Sequence, residues 1–547
     1  MTNRIFLSVW LMTLFLAACQ QPQEPFDAQH LIEVSIELQP EEWDTLRHEG
    51  RNAPDVMSGC AFEYDYTYFN ATVTVDGKRY KNVAIRKKGF LGSLSKSRPS
   101  LKVNFGKFVE GGTHAGMKRM TLNNNLQDPS NTHQCMAYAM FAEAGVVAPR
   151  CNFAKVSVNG EELGIYTHVE SVKKPMLQRH FEDDDGNLYE GQSGDFVSNR
   201  LERMELKTNE TENDRSDLDA VAAALLADDD AVLDALGEVV DLDNFLSFWA
   251  MEVLTAHWDS YSGGRNNYLT YHDPTTDRFF FIPWGTDGAF SNLRVFSGDN
   301  RNVAVLAEGE LANRLYGLPE GRAMYFDRLE ELFNQLWDEE ALLAEVDRIE
   351  ALLGTDAAVL QGQRDFITSH STELQAALDD RENAGDWNRT SSAEELECRS
   401  ELVTPVSGAF STEWTEVIMP MPGGDQSLDL TLNGEPWQPS ALMSGAGTNS
   451  QDPTSASILL VSFAEAGLLR GLVLRIPRAD FSPGIHAMHG METNAMFIEL
   501  DTTSPSTPPR ILGFAGNGSI TLEQGSTEVG APVVGHFEGE FIQTAPL

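Results

Sequence analysis

Two Asx-Gly dipeptides in the first third of the chain constrain its fold most strongly. Asp76-Gly77 joins the alternating segments "ATVTV" and "KRYKNVAIRKKG", and Asn159-Gly160 joins "FAKVSV" to "EELGIYTHVESV". Such dipeptides favour the left-handed turn of a two-residue β-hairpin. Further strands are predicted at "HLIEVSIEL" and "SLKVNFGKF", and a helix at "DPSNTHQCMAYAMFAEAGV". The first half is therefore predicted to be a sheet with one helix packed on it, an α+β pattern.

The rest of the chain divides into a helical part and a β-rich part. Helical periodicity runs from about Glu212 to Leu378, and in "DLDNFLSFWAMEVLTAHWD" it places one apolar face on Leu242, Phe245, Leu246, Trp249 and Val253. Composition changes between Ala393 and Glu401, after which Ser, Thr, Gly and Pro rise and short strands alternate with turns. This last part, 400–547, is predicted to be a small all-β sandwich domain.

The N-terminus has the pattern of an export signal. Arg4 precedes the apolar run "IFLSVWLMTLFLAA", which is too short to span a bilayer and ends in Leu16 to Cys19, "LAAC". This ending resembles the lipobox of bacterial lipoproteins, in which the cysteine is lipidated. An ordinary secretory signal is the alternative. Residues 1–19 are thus predicted to be a signal peptide and residues 20–30 a tether. Gln20 resembles the residue that directs sorting to the outer membrane.

Export changes what the cysteines are expected to do. With Cys19 lipidated, Cys60, Cys135, Cys151 and Cys398 remain, and four cysteines in an oxidising compartment allow three pairings. Cys135 and Cys151 flank one helix-to-strand passage, which favours that pair and leaves Cys60 to pair with Cys398. The chain contains no Cys-x-x-Cys that would indicate a zinc site.

The net charge of the chain indicates which partners it is not expected to bind. The 547 residues carry 40 basic and 82 acidic side chains, a formal charge of -42. A phosphate backbone would be repelled by such a chain, so nucleic acid is not an expected partner, and the lipid anchor is the expected membrane attachment.

One predicted hairpin gathers polar residues at its open end. The strands are "NYLTY" and "RFFFIPW", joined by "HDPTTD". Asn267 precedes the first strand and is predicted opposite about Ile282, Asp287 follows the second strand, and Asp259 is predicted to end the preceding helix. Two aspartates and an asparagine so placed match the phosphoryl-transfer centre of protein kinases. A hydrogen-bonded turn cluster is the alternative.

Several motifs in order resemble the CotH (spore coat protein H) kinase family, an atypical branch of the kinase-like fold. They are "VAIRKKG", "SRPSLKVNF", "LNNNLQDPSNTHQCMAYAMFAEAG", "VSVNGEELGIYTHVESV" and "NNYLTYHDPTTDRFFFIPWGTD". The resemblance covers about Leu31 to Asp386. It implies an atypical protein-kinase-like, two-lobed domain over 31–395, with ATP and Mg²⁺ or Mn²⁺ as cofactors.

The resemblance also implies residue roles. Asp259 would be the catalytic base, and Asn267 and Asp287 the metal ligands. The departure is at Gly285, because the family commonly has Trp-Asp-x-Asp where this chain has Trp-Gly-Thr-Asp. If the missing first aspartate is the essential ligand, the protein is a pseudokinase.

The remaining implied roles concern nucleotide contacts. Lys102 would contact the phosphates and face the three polar residues across a cleft, and Arg86 and Lys88 would be further phosphate or structural contacts. Glu170 would pair with a basic residue or hold a nucleotide group. As isolated residues, Lys102 would be a solvated lysine and Glu170 a buried structural partner. Asp128, before Pro129, is most simply a helix cap.

Two functions of different classes follow. The first is an exported, lipid-anchored kinase transferring phosphoryl from ATP to Ser/Thr of surface or envelope proteins. The second is a catalytically silent surface lipoprotein whose β-domain binds a polymer or partner. Scarce ATP outside the cytoplasm weakens the first, and retention of Asp259, Asn267 and Asp287 together weakens the second.

Overall fold

The structure, a computed structural model, describes residues 24–50, 54, 65–89, 93–197, 200–292, 302–389, 403–422, 425–449, 452–465, 467–488, 493–502 and 510–544. Strands dominate both ends of this part of the chain and helices its middle, so the fold is mixed α+β, as predicted. The predictions made for residues 1–19, Cys60 and Cys398 lie outside the described residues.

Seven strands of the first part, predicted only as a sheet, form a closed barrel. The strands are β1 (Leu31–Glu37), β2 (Phe69–Val75), β3 (Lys78–Lys87), β4 (Leu101–Asn104), β5 (Arg119–Asn123), β6 (Cys151–Val158) and β7 (Glu161–Val169). Their order is β1-β2-β3-β4-β5-β7-β6, and a parallel pairing of β1 with β6 closes the ring. Alternation predicts strands and hairpins, but it carries no signal for a pairing between strands over a hundred residues apart.

The two Asx-Gly turns are confirmed. Asp76 and Gly77 have φ of 46° and 76°, and Asn159 and Gly160 have φ of 51° and 85°. These are left-handed values at both central positions, as a type I′ hairpin requires. The turns fix the register so that alternate residues point into the barrel, where Val73, Val83 and Val156 are buried.

The end of the predicted tether is packed against the barrel. The ring of Phe26 stacks on that of His168 with centroids 4.7 Å apart. Asn152 donates a side-chain hydrogen bond of 3.2 Å to the carbonyl of Pro25, and Arg150 forms a 2.8 Å ion pair with Glu24. An aromatic side chain that can bury its ring gives this segment a fixed place, so residues from 24 onward are not a free linker.

Along the sequence, most of the helices fall between the barrel strands and the C-terminal strands. They are α1 (Pro40–His48), α2 (His133–Glu143), α3 (Lys174–His180), α4 (Ser216–Leu225), α5 (Val232–Val239), α6 (Leu242–Leu254), α7 (Tyr261–Gly264), α8 (Glu310–Gly317), α9 (Pro319–Leu336), α10 (Glu339–Leu353) and α11 (Ala357–Asp379). Every residue of α6 from Phe245 to Leu254 is buried, so α6 is central and not one-sided as predicted. It ends before Asp259, which lies in the following loop.

Helix α2 begins later than predicted and is tied to the barrel. Its first residue is His133, and the backbone N–H of His133 donates to Asp128 Oδ2 at 2.9 Å. Asp128 therefore caps the helix from five residues upstream. A disulfide joins Cys135 in α2 to Cys151 at the start of β6, as the sequence predicted.

A four-stranded sheet lies beside the barrel. Its strands are β8 (Leu188–Gly191), β9 (Met204–Leu206), β10 (Tyr268–Asp273) and β11 (Arg278–Pro283), in the order β11-β10-β8-β9. The predicted hairpin is thus confirmed as β10–β11. Its residues Tyr268, Phe279 and Phe281 pack into the same core as α6, whereas Tyr271 belongs to a smaller cluster with Leu269 and Ile282.

The C-terminal part is all-β, but its pairings form a ring instead of the predicted sandwich. The strands are β12 (Val403–Val417), β13 (Ser427–Asp429), β14 (Thr431–Leu432), β15 (Glu435–Pro436), β16 (Met443–Asn449), β17 (Asp452–Glu465), β18 (Leu468–Pro477), β19 (Gly484–Met488), β20 (Asn494–Asp501), β21 (Arg510–Gln524) and β22 (Pro532–Gln543). The order β12-β16-β17-β18-β20-β21-β22 returns to β12, which closes seven strands around a single core. The sequence predicted the strands, but not that β22 pairs with both β21 and β12.

Within the described residues, no helix combines the length and apolar character needed to cross a membrane.

Candidate active site

The open end of the β10–β11 hairpin forms the centre of the candidate site. Tyr268 pairs with Pro283, and the N–H of Trp284 donates to the carbonyl of Asn267 at 3.1 Å. Asn267 therefore lies opposite Trp284, two residues beyond the predicted partner Ile282. The chain then passes through a 3-10 turn, Thr286–Gly288, which carries Asp287.

The loop between α6 and β10 carries Asp259 in an unusual backbone. Ala256, Arg265 and Asn267 all have left-handed φ, at 47°, 57° and 51°. Such conformations cost energy in non-glycine residues and are enriched at functional sites. Three of them in one short loop indicate that the surrounding structure holds the loop in place.

Two buried acidic residues hold this loop. Glu252 of α6 accepts hydrogen bonds from the backbone N–H groups of Tyr261, at 3.1 Å, and Ser262, at 2.8 Å. Glu308 accepts from Arg265 Nη2 at 2.7 Å. Burial raises the pKa of Glu252 to about 7, against the opposing effect of its hydrogen bonds from Ser262. The loop between α6 and β10 is thus held by one buried carboxylate near Tyr261 and by another at Arg265.

The side chain of Asp259 is held by two neighbouring asparagines. Asn266 Nδ2 donates to Asp259 Oδ1 at 3.1 Å, and Asn267 Nδ2 donates to Asp259 Oδ2 at 2.7 Å and to its carbonyl at 2.9 Å. Burial raises the pKa of Asp259 to about 7; the hydrogen bond from Asn266 opposes this rise and the charge of Asp287 adds to it. A carboxyl with such a pKa suits proton transfer near neutral pH.

Asp287 is buried and held by the first turn of α2. Gln134 Nε2 donates to Asp287 Oδ1 at 3.3 Å, and His133 Nδ1 lies 2.9 Å from the Asp287 carbonyl oxygen. Burial raises the pKa of Asp287, while the charge of Lys88 acts in the opposite direction. Sequence reasoning missed His133 and Gln134, because only the fold brings α2 against the turn that carries Asp287.

The two aspartates are close neighbours. A Cβ placed on Gly288 would lie 3.4 Å from Asp259 Cβ. Because consecutive Cα atoms are about 3.8 Å apart and a Cα–Cβ bond is about 1.5 Å, the Asp287 Cα lies within about 9 Å of Asp259 Cβ. A metal ion with bound phosphates could therefore reach both side chains.

Gly285 packs directly on Asn267. It has a φ of 51°, and a Cβ at this position would be 2.3 Å from Asn267 Oδ1. The position where the family commonly has an aspartate thus has no room for any side chain while Asn267 keeps this orientation. Because the Asn267 amide nitrogen is bound to Asp259, its oxygen is the atom left for a cation.

The basic residues lie on the barrel strands and the residues just after them. Lys88 follows β3; burial lowers its pKa, and the charge of Asp287, the carboxylate that acts on it most, raises it. Burial also lowers the pKa of Lys102, to about 7, with Arg86 adding to the fall, and the carboxylate that acts most on Lys102 is Glu190. Lys88 is thus linked electrostatically to Asp287, while the predicted position of Lys102 across a cleft from the three polar residues stays a prediction.

Arg86 and Glu170 have structural partners. The Arg86 guanidinium lies over the rings of Tyr66, at 5.7 Å, and Tyr68, at 5.4 Å. Glu170 accepts hydrogen bonds from the side chain of Arg150, at 3.0 and 3.2 Å, and from that of Arg179, at 2.5 and 2.7 Å. Two guanidinium groups leave Glu170 little capacity for a nucleotide, so of its two predicted roles the pairing with a basic residue is the one the contacts fit.

The donor set fits a metal ion shared with phosphates better than a site made by protein alone. Within the described residues, no group of three or more His, Cys, Asp or Glu side chains is placed to hold a metal. Mg²⁺ is commonly bound by one or two protein oxygens together with substrate phosphates. The oxygens of Asn267 and Asp287 match that requirement.

Comparison with known proteins places these residues in a family. The family model described as CotH kinase protein matches residues 85–383, more than half of the 547-residue chain. The inner spore coat protein H of Bacillus subtilis is 26% identical over 262 residues, which cover 44% of this chain and 70% of that protein. Two proteins of Rhizopus delemar are also similar: invasin CotH3, 25% identical over 32% of each chain, and invasin CotH2, 23% identical over 42% of this chain and 43% of that one. This chain spans less than half the length of either invasin. The matched region contains every predicted catalytic, metal and nucleotide residue, and the chain belongs to the CotH kinase protein family.

Proposed function

We propose that the protein is an atypical kinase that transfers the terminal phosphoryl group of ATP to Ser or Thr hydroxyls of surface or envelope proteins. Family membership supports a kinase-like activity and ATP as the nucleotide. The observation that carries the proposal is the placement of Asp259, Asn267 and Asp287 near one hairpin end, where the charge of Asp287 also acts on Lys88.

Each residue has a chemical task in this proposal. Asp259 accepts the proton of the attacking hydroxyl, and Asn266 and Asn267 orient its carboxylate for that transfer. The oxygens of Asn267 and Asp287 would hold Mg²⁺ or Mn²⁺, and the ion would supply positive charge that neutralises the phosphates. Lys88 adds a positive charge beside Asp287 for the same phosphates.

The test measures binding and transfer separately. The full chain is titrated with ATP in Mg²⁺, in Mn²⁺ and in chelator, and phosphoryl transfer to Ser/Thr peptides and to itself is followed. We expect Asp287→Ala to abolish metal-dependent binding and Asp259→Asn to keep binding but lose transfer. Asp277→Asn is the matched control, because Asp277 is 90% exposed at the far end of the same hairpin. Loss of binding in the control, or normal transfer by Asp259→Asn, would refute these assignments.

Gly285 supports a second candidate, a catalytically silent binding module. The family's first aspartate is absent at this position, and a protein that binds neither metal nor nucleotide would act through its C-terminal β-domain. If titration of the unsubstituted protein with ATP shows no saturable binding, with or without metal ions, this candidate would be favoured over the kinase.

The remaining parts of the proposal concern location. Residues 1–19 act as a signal, Cys19 carries the lipid, and residues 31–395 and 400–547 form the kinase-like and β-rich domains at the bacterial cell envelope, outer membrane or cell surface. Cys19→Ser should release the protein into soluble fractions or block its processing, and unchanged membrane fractionation would exclude the anchor.

A further inference from the structure

A row of polar side chains crosses the outside of the barrel beside the candidate active site. Arg86 of β3 is the direct partner of Lys102 of β4, and Lys102 is the direct partner of Thr121 of β5. Direct partners in antiparallel strands share a face. The intervening residues Ile85 and Val103 belong to the barrel core, so the row points outward.

The row continues past the end of β7 to two more lysines. Thr121 Oγ1 lies 2.9 Å from Ser171 Oγ, and Lys173 follows two residues later. Lys173 Nζ donates to the carbonyl of Lys207 at 2.8 Å. Lys207 is neutralised, since its ammonium is 2.7 Å from Glu190 and 2.5 Å from Glu205.

Positive charge exceeds negative charge along this row. Arg86, Lys173 and Lys207 all act on Lys102, and Glu190 is the carboxylate that acts on it. Burial lowers the pKa of Lys173 to about 8, with the charge of Lys207 adding to the fall. Glu210 and Glu190 act on Lys173 in the opposite direction, so Glu190 is shared among Lys102, Lys173 and Lys207. Burying several ammonium groups that share a carboxylate is costly, and a bound anion would lower that cost. In a chain of net charge -42, such a surplus is a local exception.

We propose that Lys173 completes, with Arg86, Lys102 and the hydroxyls of Thr121 and Ser171, an oxyanion-binding row that receives the phosphate chain of the nucleotide. This inference rests on the proposed kinase function and adds Lys173 to its binding residues. Cations alternating with hydroxyl donors suit phosphate oxygens, which accept several hydrogen bonds at once. Lys88 acts on both Asp287 and Glu190, so the row adjoins the metal-binding end of the site.

The test uses calorimetric titration of the full chain with three probes: MgATP, inorganic tripolyphosphate and adenosine. We expect Lys173→Met to lower the affinity for both phosphate probes about tenfold, which is the effect of losing one charge-assisted hydrogen bond. Adenosine binding should not change. Lys173→Arg keeps the charge and should bind within about threefold of the unsubstituted protein, about 0.65 kcal/mol by RT ln 3. Added salt should weaken phosphate binding more steeply in the unsubstituted protein than in Lys173→Met, because the variant has one fewer charge for salt to screen.

Lys174→Met is the matched control. Lys174 is the next residue, is half-exposed, and forms ion pairs with Asp184 and Asp185 outside the row. It should bind all three probes normally.

The outcomes separate this inference from the proposed function. If Lys173→Met binds MgATP and tripolyphosphate as tightly as the unsubstituted protein, the row is refuted while the kinase proposal stands. If tripolyphosphate binds through Lys173 but MgATP does not bind, the row is supported as a site for another phosphate compound and the kinase proposal fails. Binding of neither phosphate probe to the unsubstituted protein refutes the row.

Discussion

Gly285→Ala tests whether the lost family aspartate reflects steric exclusion by Asn267. The added Cβ would lie 2.3 Å from Asn267 Oδ1, far inside van der Waals contact. The Asn267 side chain would have to rotate. Its hydrogen bonds of 2.7 Å and 2.9 Å to Asp259 would then be lost or weakened. The substitution thus removes the orientation of a proposed metal ligand without touching the aspartates.

The expected loss of stability in Gly285→Ala has two parts. An L-residue with left-handed φ costs about 1–2 kcal/mol. Losing a hydrogen bond to a charged partner costs about 1.5–3 kcal/mol. We therefore expect Gly285→Ala to lower the free energy of unfolding by about 2.5–5 kcal/mol, the sum of these two costs.

Gly354→Ala isolates the first part. Gly354 ends α10 with a φ of 68°, and a Cβ there would meet nothing within 4 Å. Calorimetric unfolding of this control should show only the backbone cost of about 1–2 kcal/mol. Metal-dependent ATP binding should be normal in the control and at least tenfold weaker in Gly285→Ala. Equal destabilisation of the two variants, with binding kept in both, would show that Asn267 is not held by Gly285. Gly285→Asp should behave as Gly285→Ala does. A gain of transfer activity instead would show that the family aspartate, and not the present Asn267 geometry, is what the site needs.

Three further predictions concern stability. Burial lowers the pKa of His168 to about 3, with the charge of His114 adding to the fall. As pH falls below the usual histidine pKa of about 6.5, the unfolded chain binds a proton at His168 that the folded protein does not bind. This group should therefore lower the free energy of unfolding by about 1.4 kcal/mol per pH unit. In His168→Gln, the urea midpoint should depend less on pH between about 6.5 and 4.5. Replacing Cys135 and Cys151 together by serine opens a loop of sequence separation 16 and should cost about 3 kcal/mol, while an unchanged melting curve would contradict a structural disulfide. Glu170→Gln should lower stability by about 1–3 kcal/mol, because Arg179 would lose its carboxylate partner and Arg150 would keep only Glu24. ATP affinity should not change; weaker ATP binding without loss of stability would instead support a nucleotide role for Glu170.

The sequence determined the local elements of this protein. Alternation and Asx-Gly turns located the hairpins β2–β3 and β6–β7, because a two-residue turn with left-handed φ leaves few other conformations. The same reasoning located the β10–β11 hairpin and placed Asn267 and Asp287 just beyond its paired ends, since a hairpin brings its own ends together. The pair Cys135–Cys151 followed from its short separation. In each case the two interacting residues are near in sequence.

Only the tertiary structure decided how these elements meet. Closure of both barrels, the packing of Phe26 on His168, and the approach of Gln134 to Asp287 join residues far apart in the chain, and hydrophobic patterning does not specify which strand or helix is the partner. The electrostatic link between Lys88 and Asp287 has the same origin. Lys88 follows β3 and Asp287 follows β11, so only the tertiary structure brings their charges within range of each other.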